Sequence, residues 1–240
     1  MNSVSLKFAR VSQNVKNALI LSGREPDSVT IVGVTKAQPF QVAVIGAQCG
    51  ILDLGESRLQ EASRKIPVVE KVLMDHQVDI STLTWHMIGR LQSNKAAKAA
   101  RLFDVIHSVD SEKVARILAR TAGDEGKKLR VFVEVNISSQ LQKGGIPVES
   151  TLEFVTEIIA MKSLHLEGLM TIGQQSVDDE IILKSFRTLR LLNDNIAERY
   201  DEFQYGRQLS MGMSSDYRLA VREGATIVRI GSAIFGPRPG

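Results

Sequence analysis

The sequence predicts an α/β fold: a single (β/α)₈ (TIM) barrel with an extra N-terminal helix, spanning residues 1–240 as one domain. Three observations carry this. Short β-branched runs alternate with longer segments of helical spacing, about eight times over. No Pro-, Gly- or Ser-rich linker interrupts the alternation. The first strand is followed by Thr35-Lys36-Ala37-Gln38-Pro39, where an open doubly wound sheet would normally carry a Gly-rich phosphate turn. Alternating βα units demand a parallel sheet, and eight of them at this length close into a barrel.

In chain order, Leu6, Val11, Val15, Ala18 and Leu19 share one face of a first helix. Thr30 to Val34 reads as the first strand and Phe40 to Gln48 as the helix behind it. Ile51 to Leu54 is the second strand, with Ser57 to Val72 helical. Leu83 to Met87 precedes a helix around Asn94 to Ala100, and Asp104 to His107 precedes Ser111 to Ala122. Ser111 is the expected N-cap of that helix. Arg130 to Asn136 is the clearest strand, backed by Pro147 to Met161. His165 to Met170 leads to the amphipathic stretch Asp178 to Arg199. Gln208 to Ser210, a helix near Asp216 to Glu223, and the strand Thr226 to Ile230 complete the series.

Composition is that of an ordinary globular protein, 43% hydrophobic and 24% charged. Cys49 is the single cysteine, so no intramolecular disulfide can form, and a small core residue in a reducing, cytoplasmic setting is expected. The net charge of +3 suits a phosphorylated ligand and is too small and dispersed to argue for nucleic acid. No apolar run reaches the ~20 residues needed to span a bilayer. Lys7, Arg10, Lys16 and Arg24 without an intervening acid resemble a transit peptide, but the apolar face beside them favours an integral helix.

A barrel's functional face is where its strands end. Lys36 follows strand one, Gly55-Glu56-Ser57-Arg58 strand two, and Gly89-Arg90 strand three. The loops after strands seven and eight, Ser210 to Ser215 and Gly231-Ser232, are rich in Gly and Ser. Barrels commonly hold phosphate there, on backbone N–H groups and hydroxyls. Closure places strand one beside strand eight, so Lys36 lies near this site. A lysine there is partly desolvated beside other cations, which favours the neutral, nucleophilic amine. An aldehyde with its phosphate clamped next door would condense with it. Arg229 precedes Ile230-Gly231-Ser232 and alternates with Gly231. Facing a pyridine nitrogen it would keep that nitrogen unprotonated, since guanidinium holds its protons. Pairing of Arg229 with Glu134 or Glu167 is the structural alternative.

The chain resembles the pyridoxal phosphate homeostasis proteins, single-barrel relatives of the N-terminal domain of alanine racemase. The matching stretches are Val32 to Lys36, Leu54 to Glu61, Trp85 to Lys95, Gly168 to Gly173, Leu209 to Asp216 and Val228 to Gly236. The resemblance implies pyridoxal 5′-phosphate as cofactor, with Lys36 as its Schiff-base lysine. It also implies phosphate contacts from Ser210, Gly212, Gly231 and Ser232, and Arg229 as the pyridine partner. Ser57 stands where the family usually has asparagine, so a cofactor contact there is shortened or replaced. Arg90 stands where a smaller or neutral residue is commoner, adding charge at the mouth.

Other features have duller readings. Trp85 is expected to fill the barrel core and His86 to make a structural hydrogen bond. His107, Ser108 and Asp110 lack the nucleophile elbow of a Ser/His/Asp enzyme. No histidine group has metal-ligand spacing, and Lys95, Lys98 and Arg101 suit a solvated helix face. No second domain is expected after strand eight, and so no opposing acid/base tyrosine of the kind the resembled racemases use. The expected function is therefore homeostasis of intracellular pyridoxal 5′-phosphate by a monomer, without efficient amino-acid turnover. Its partners would be the cofactor and the apoenzymes that depend on it. An amino-acid racemase or lyase is the alternative, and a phosphosugar enzyme on the same fold a third possibility.

Overall fold

In a computed structural model, residues 3–138, 144–174, 176–201 and 204–237 are described. The strands are β1 (Thr30–Val34), β2 (Asp53–Glu56), β3 (Thr84–Met87), β4 (Val105–Val109), β5 (Leu129–Asn136), the two-residue β6 (Ile146–Pro147), β7 (Leu164–Met170), β8 (Gln208–Ser210) and β9 (Ile227–Ile230). The sheet runs β4-β3-β2-β1-β9-β8-β7-β5-β6, and a further β4–β5 pairing closes it. All pairings are parallel. Eight strands thus form the barrel, and β6 is an appendage on β5. The closing register sets Val32 opposite Arg229, so the strand that carries Lys36 lies against the strand that carries Arg229.

The helices are α1 (Ser3–Leu21), α2 (Phe40–Gln48), α3 (Leu59–Asp75), α4 (Ser93–Leu102), α5 (Glu112–Asp124), α6 (Thr151–Ile159), α7 (Asp179–Ala197), α8 (Tyr217–Arg222) and the one-turn α9 (Ser232–Phe235). Their apolar stripes and the outward strand residues make one large core between barrel and helices. A second cluster, Val32, Val105, Phe132, Met170 and Ile227, fills the barrel interior. Helix α1 packs on α8 and α9, with Val11, Val15, Ala18 and Leu19 buried. Asn14 Nδ2 donates to the Tyr217 hydroxyl and Arg24 Nη1 to the Val221 carbonyl. The first helix is therefore integral to the barrel's shell.

Several expectations need correction. Leu6 is exposed rather than on the buried face. Cys49 is half-buried at the end of α2, not a core residue. The second strand begins at Asp53, not Ile51, because Asp53 pairs with Thr84; the apolar Ile51-Leu52 is the approach to the strand. Helix α6 begins at Thr151, since Ile146-Pro147 pairs with β5 and Val148–Ser150 is a 3₁₀ turn. Ser111 does occupy the N-cap of α5, but its hydroxyl makes no capping bond and serves Asp110 instead. Trp85 is buried outside the barrel, where its Nε1 donates to Glu70 of α3 at 3.0 Å.

Candidate functional site

At the mouth, a cavity of about 460 Å³ is lined by Val34, Lys36, Gln38, Ile88, Ile172, Met213, Ser214, Ser215, Arg229, Gly231, Ser232 and Gly236. That volume falls in the ~300–1,000 Å³ typical of small-molecule sites. Lys36, Arg229, Gly231 and Ser232, named from sequence, are brought together here. Ser57, Ser210 and Gly212 are not on the wall. Ser57 lies in a neighbouring cleft with Arg58, Arg90 and Lys95. Ser210 is buried beneath the cavity, bound to Arg229 and His107. Gly212 packs under α8, where a Cβ would come within 2.5 Å of Ala220 Cβ.

Two serines that sequence reasoning left among loop residues belong to the wall instead. The Ser214 hydroxyl accepts from the backbone N–H groups of Gly231 (3.2 Å) and Ala233 (3.3 Å), which stitches the loop after β8 to the loop after β9. The signal was present in the sequence, since Ser214-Ser215 lies in the Gly- and Ser-rich loop that Ser210 opens, but position alone did not separate these serines from Ser210. A Cβ on Gly231 would sit 3.2 Å from the Val34 carbonyl. Glycine there lets the phosphate-side loop lie close against β1, next to Lys36.

The turn that carries Lys36 is clamped from outside the barrel. Thr35 Oγ1 donates to Glu56 Oε1 at 2.7 Å. Lys65 Nζ donates to the Thr35 carbonyl and to Glu56 Oε1, each at 2.8 Å, and to Glu61 Oε1 at 2.6 Å. Glu61 Oε1 also accepts from the Ala37 amide at 2.7 Å. The residues on both sides of Lys36 are thereby fixed by one ionic cluster on β2 and α3. Burial raises the Glu56 carboxyl above its usual range, with Lys65 opposing. Glu56 Oε2 is the one buried side-chain polar atom without a hydrogen-bond partner among the described residues.

Arg229 is buried at the cavity floor. Its Nη1 donates to Ser210 Oγ (2.7 Å) and its Nη2 to the Thr171 carbonyl (2.9 Å). Burial lowers its pKa to about 10, opposed by Glu134 and Asp216, so it remains a cation at neutral pH. Glu134 is pushed up to about 7 by burial and by Asp110, with Arg229 and Arg90 opposing. Glu167, the other suggested partner of Arg229, is instead engaged by Arg130 and by Gln208. Arg90 is largely exposed and stands 3.8 Å from Asp110.

The donor set fits a phosphorylated, aldehyde-bearing aromatic ligand. It offers an amine, a fixed cation, small residues that admit an anion, and apolar walls from Val34, Ile88, Ile172 and Met213. No group of three or more His, Cys, Asp or Glu residues suited to a metal occurs among the described residues. No helix of the described residues is long and apolar enough to cross a membrane.

Comparison with known proteins agrees with this geometry. The model of the alanine racemase N-terminal domain matches residues 8–239. A pyridoxal phosphate homeostasis protein of Vibrio cholerae is 34% identical over 99% of this chain and 98% of its own length. A solved protein of unknown function from Bifidobacterium adolescentis is 32% identical with a TM-score of 0.89, covering 97% of this chain and 94% of that one. PipY of Synechococcus elongatus, solved with PLP bound, is 33% identical with a TM-score of 0.78, covering 92% of this chain and all of that one. The chain belongs to the pyridoxal phosphate homeostasis protein family, within the alanine racemase N-terminal domain fold.

Proposed function

We propose that the chain binds pyridoxal 5′-phosphate at the barrel mouth, covalently through Lys36, and acts in the homeostasis of that cofactor rather than in efficient amino-acid turnover. One observation carries the proposal: a single cavity is walled by Lys36, Arg229, Gly231 and Ser232, joined by Ser214 and Ser215. Bound there, the cofactor supplies an aldehyde for an amine and a ring that can withdraw electrons from a substrate carbon.

The chain's own residues set what can follow. Lys36 offers the amine on a turn held by Thr35, Ala37 and their ionic clamp. The N–H groups and hydroxyls of the Ser214-Ser215 and Gly231-Ser232 loops would hold the phosphate. Ser210 and Gly212, expected at that phosphate, would act from below by shaping the loop, and Ser57 from the rim. Arg229 would stand against the ring nitrogen as a donor and leave it unprotonated, which weakens the ring as an electron sink.

The three tyrosines support a non-racemising role, because each is engaged away from the mouth. Tyr205 binds Asn193, Tyr217 accepts from Asn14, and Tyr200 pairs with Thr156. Delivery to apoenzymes, action as a monomer and a cytoplasmic site belong to the same proposal.

Titration with pyridoxal 5′-phosphate, followed by absorbance, tests it. Wild type is expected to gain a visible-edge band at one equivalent, and Lys36→Ala to gain none. Equal bands in both would overturn the proposal. Turnover of L-amino acids near ~1 s⁻¹ would favour the racemase or lyase instead.

A further inference from the structure

Barrel interiors are usually filled with branched apolar side chains. Here a polar file crosses the interior from base to mouth. Asp53 opens β2, at the barrel's lower rim, and its carboxylate is partly exposed. His86 Nε2 lies 2.9 Å from Asp53 Oδ1, and His86 Nδ1 lies 2.8 Å from His107 Nε2. His107 Nδ1 lies 2.8 Å from Ser210 Oγ, which takes the bond from Arg229 Nη1 at 2.7 Å. His86, His107, Ser210 and Arg229 are all buried. The His107 ring also stacks on Phe132, with centroids 4.6 Å apart.

With one proton on each imidazole, the two ends of this file fix its direction. Guanidinium can only donate and an ionised carboxylate can only accept. His86 must therefore carry its proton on Nε2 to serve Asp53, which leaves its Nδ1 an acceptor. His107 must then donate from Nε2 and accept at Nδ1, and the Ser210 hydroxyl must donate to it. Every bond then points the same way, from Arg229 to Asp53. Burial above all, then His86, Arg229 and Arg130, lower the His107 pKa well below its usual value and hold that ring neutral. Protonation of His86 would reverse two bonds and leave the Ser210 proton without an acceptor in the file.

We infer that Asp53, His86 and His107 are positioning residues for Arg229, fixing through Ser210 which guanidinium N–H groups are held by the protein and which face the cavity. Among the described residues, two of the five N–H donors of Arg229 are engaged, by Ser210 and Thr171, and Arg229 lines the cavity. With the Ser210 hydroxyl proton turned toward His107, its lone pairs remain turned toward Arg229. Without His107, that hydroxyl can rotate and compete with the guanidinium. The inference rests on the proposed placement of the cofactor's ring beside Arg229.

Two measurements test it. In the full-length protein without cofactor, histidine ¹⁵N shifts at pH 7 are expected to show His86 and His107 as neutral Nε2–H tautomers with slowly exchanging N–H protons. An Nδ1–H tautomer or an imidazolium at either would overturn the file. In the cofactor-loaded protein, His107→Phe keeps a ring against Phe132 but removes both nitrogens. It is expected to shift the visible band and weaken binding roughly tenfold, the cost of a lost buried hydrogen bond and a freed donor. His107→Gln can accept from Ser210 through Oε1 and donate to His86 through Nε2, and is expected to restore both. Should His107→Phe fail to fold, Asp53→Ala, at the far rim, is expected to shift the band in the same direction. Unchanged band and affinity in the broken variants, or a His107→Gln protein as impaired as His107→Phe, would overturn the positioning role. A wild type that takes up no cofactor would sink the functional proposal and this role with it, whereas a coloured wild type matched by its broken variants would sink this role alone.

Discussion

Replacing Lys65 by Met tests the clamp that holds the Lys36 turn. The Lys65 and Glu56 side chains are 6% and 0% exposed, so solvent screens the pair little. Removing one partner of a buried ion pair costs about 3–5 kcal/mol, because the other charge is left uncompensated. The Thr35 carbonyl loses its donor as well. Part of the loss is recovered if Glu56 takes up a proton, and this gives the pH signature. Its carboxyl is already raised in the folded chain. The folded state therefore binds a proton more readily than the unfolded one, and stability falls as pH rises through the folded pKa. Losing Lys65 raises that pKa further, at about 1.36 kcal/mol per unit. Urea denaturation is expected to show Lys65→Met destabilised by about 3–5 kcal/mol at pH 8 and by clearly less at pH 5. Adding Glu56→Gln should recover most of the loss at pH 8. A loss below about 1 kcal/mol, or one independent of pH, would refute the reasoning.

Further outcomes follow from the same geometry. Gly168→Ala places a Cβ 1.9 Å from the Gln208 carbonyl oxygen at φ +155°, so soluble yield and thermal midpoint should collapse, a loss of roughly 4 kcal/mol or more. Glu134, raised to about 7, contributes stability that is present below its unfolded pKa and lost as pH rises through 7. Glu134→Gln should flatten that decline, by at most about 3 kcal/mol between pH 4.5 and 8 in urea titrations. Tyr205→Phe strands the Asn193 amide oxygen to which the buried hydroxyl donates, for an expected loss of about 1–3 kcal/mol in chemical denaturation.

The barrel was legible because its strands announce themselves through β-branched residues, and the helices between them through one apolar face. Boundaries slipped where apolarity and pairing disagree. Ile51 is buried but precedes the strand, and Pro147 lies in a bridge to β5 rather than in a helix. Lys36, Arg229, Gly231 and Ser232 were reachable because strand ends define the mouth. Ser210 was harder: it ends its strand as a mouth residue should, yet its side chain faces the interior. That orientation follows from registers between strands distant in sequence, which a single strand does not display. The Glu56–Lys65 clamp and the His86–His107 contact were invisible for the same reason, since each joins elements whose relative rotation is set only by closure. Trp85 and His86 show the cost of a one-residue step, because neighbours on a strand face opposite sides of the sheet.

The central claim is that Lys36 takes the cofactor covalently while Arg229 and the two Gly/Ser loops hold the rest of it. The most direct measurement is borohydride reduction of the protein incubated with pyridoxal 5′-phosphate, followed by mass-spectrometric peptide mapping. One pyridoxyl adduct per chain is expected, on the peptide bearing Lys36. An adduct confined to another lysine, or scattered among surface lysines with Lys36 unmodified, would contradict it.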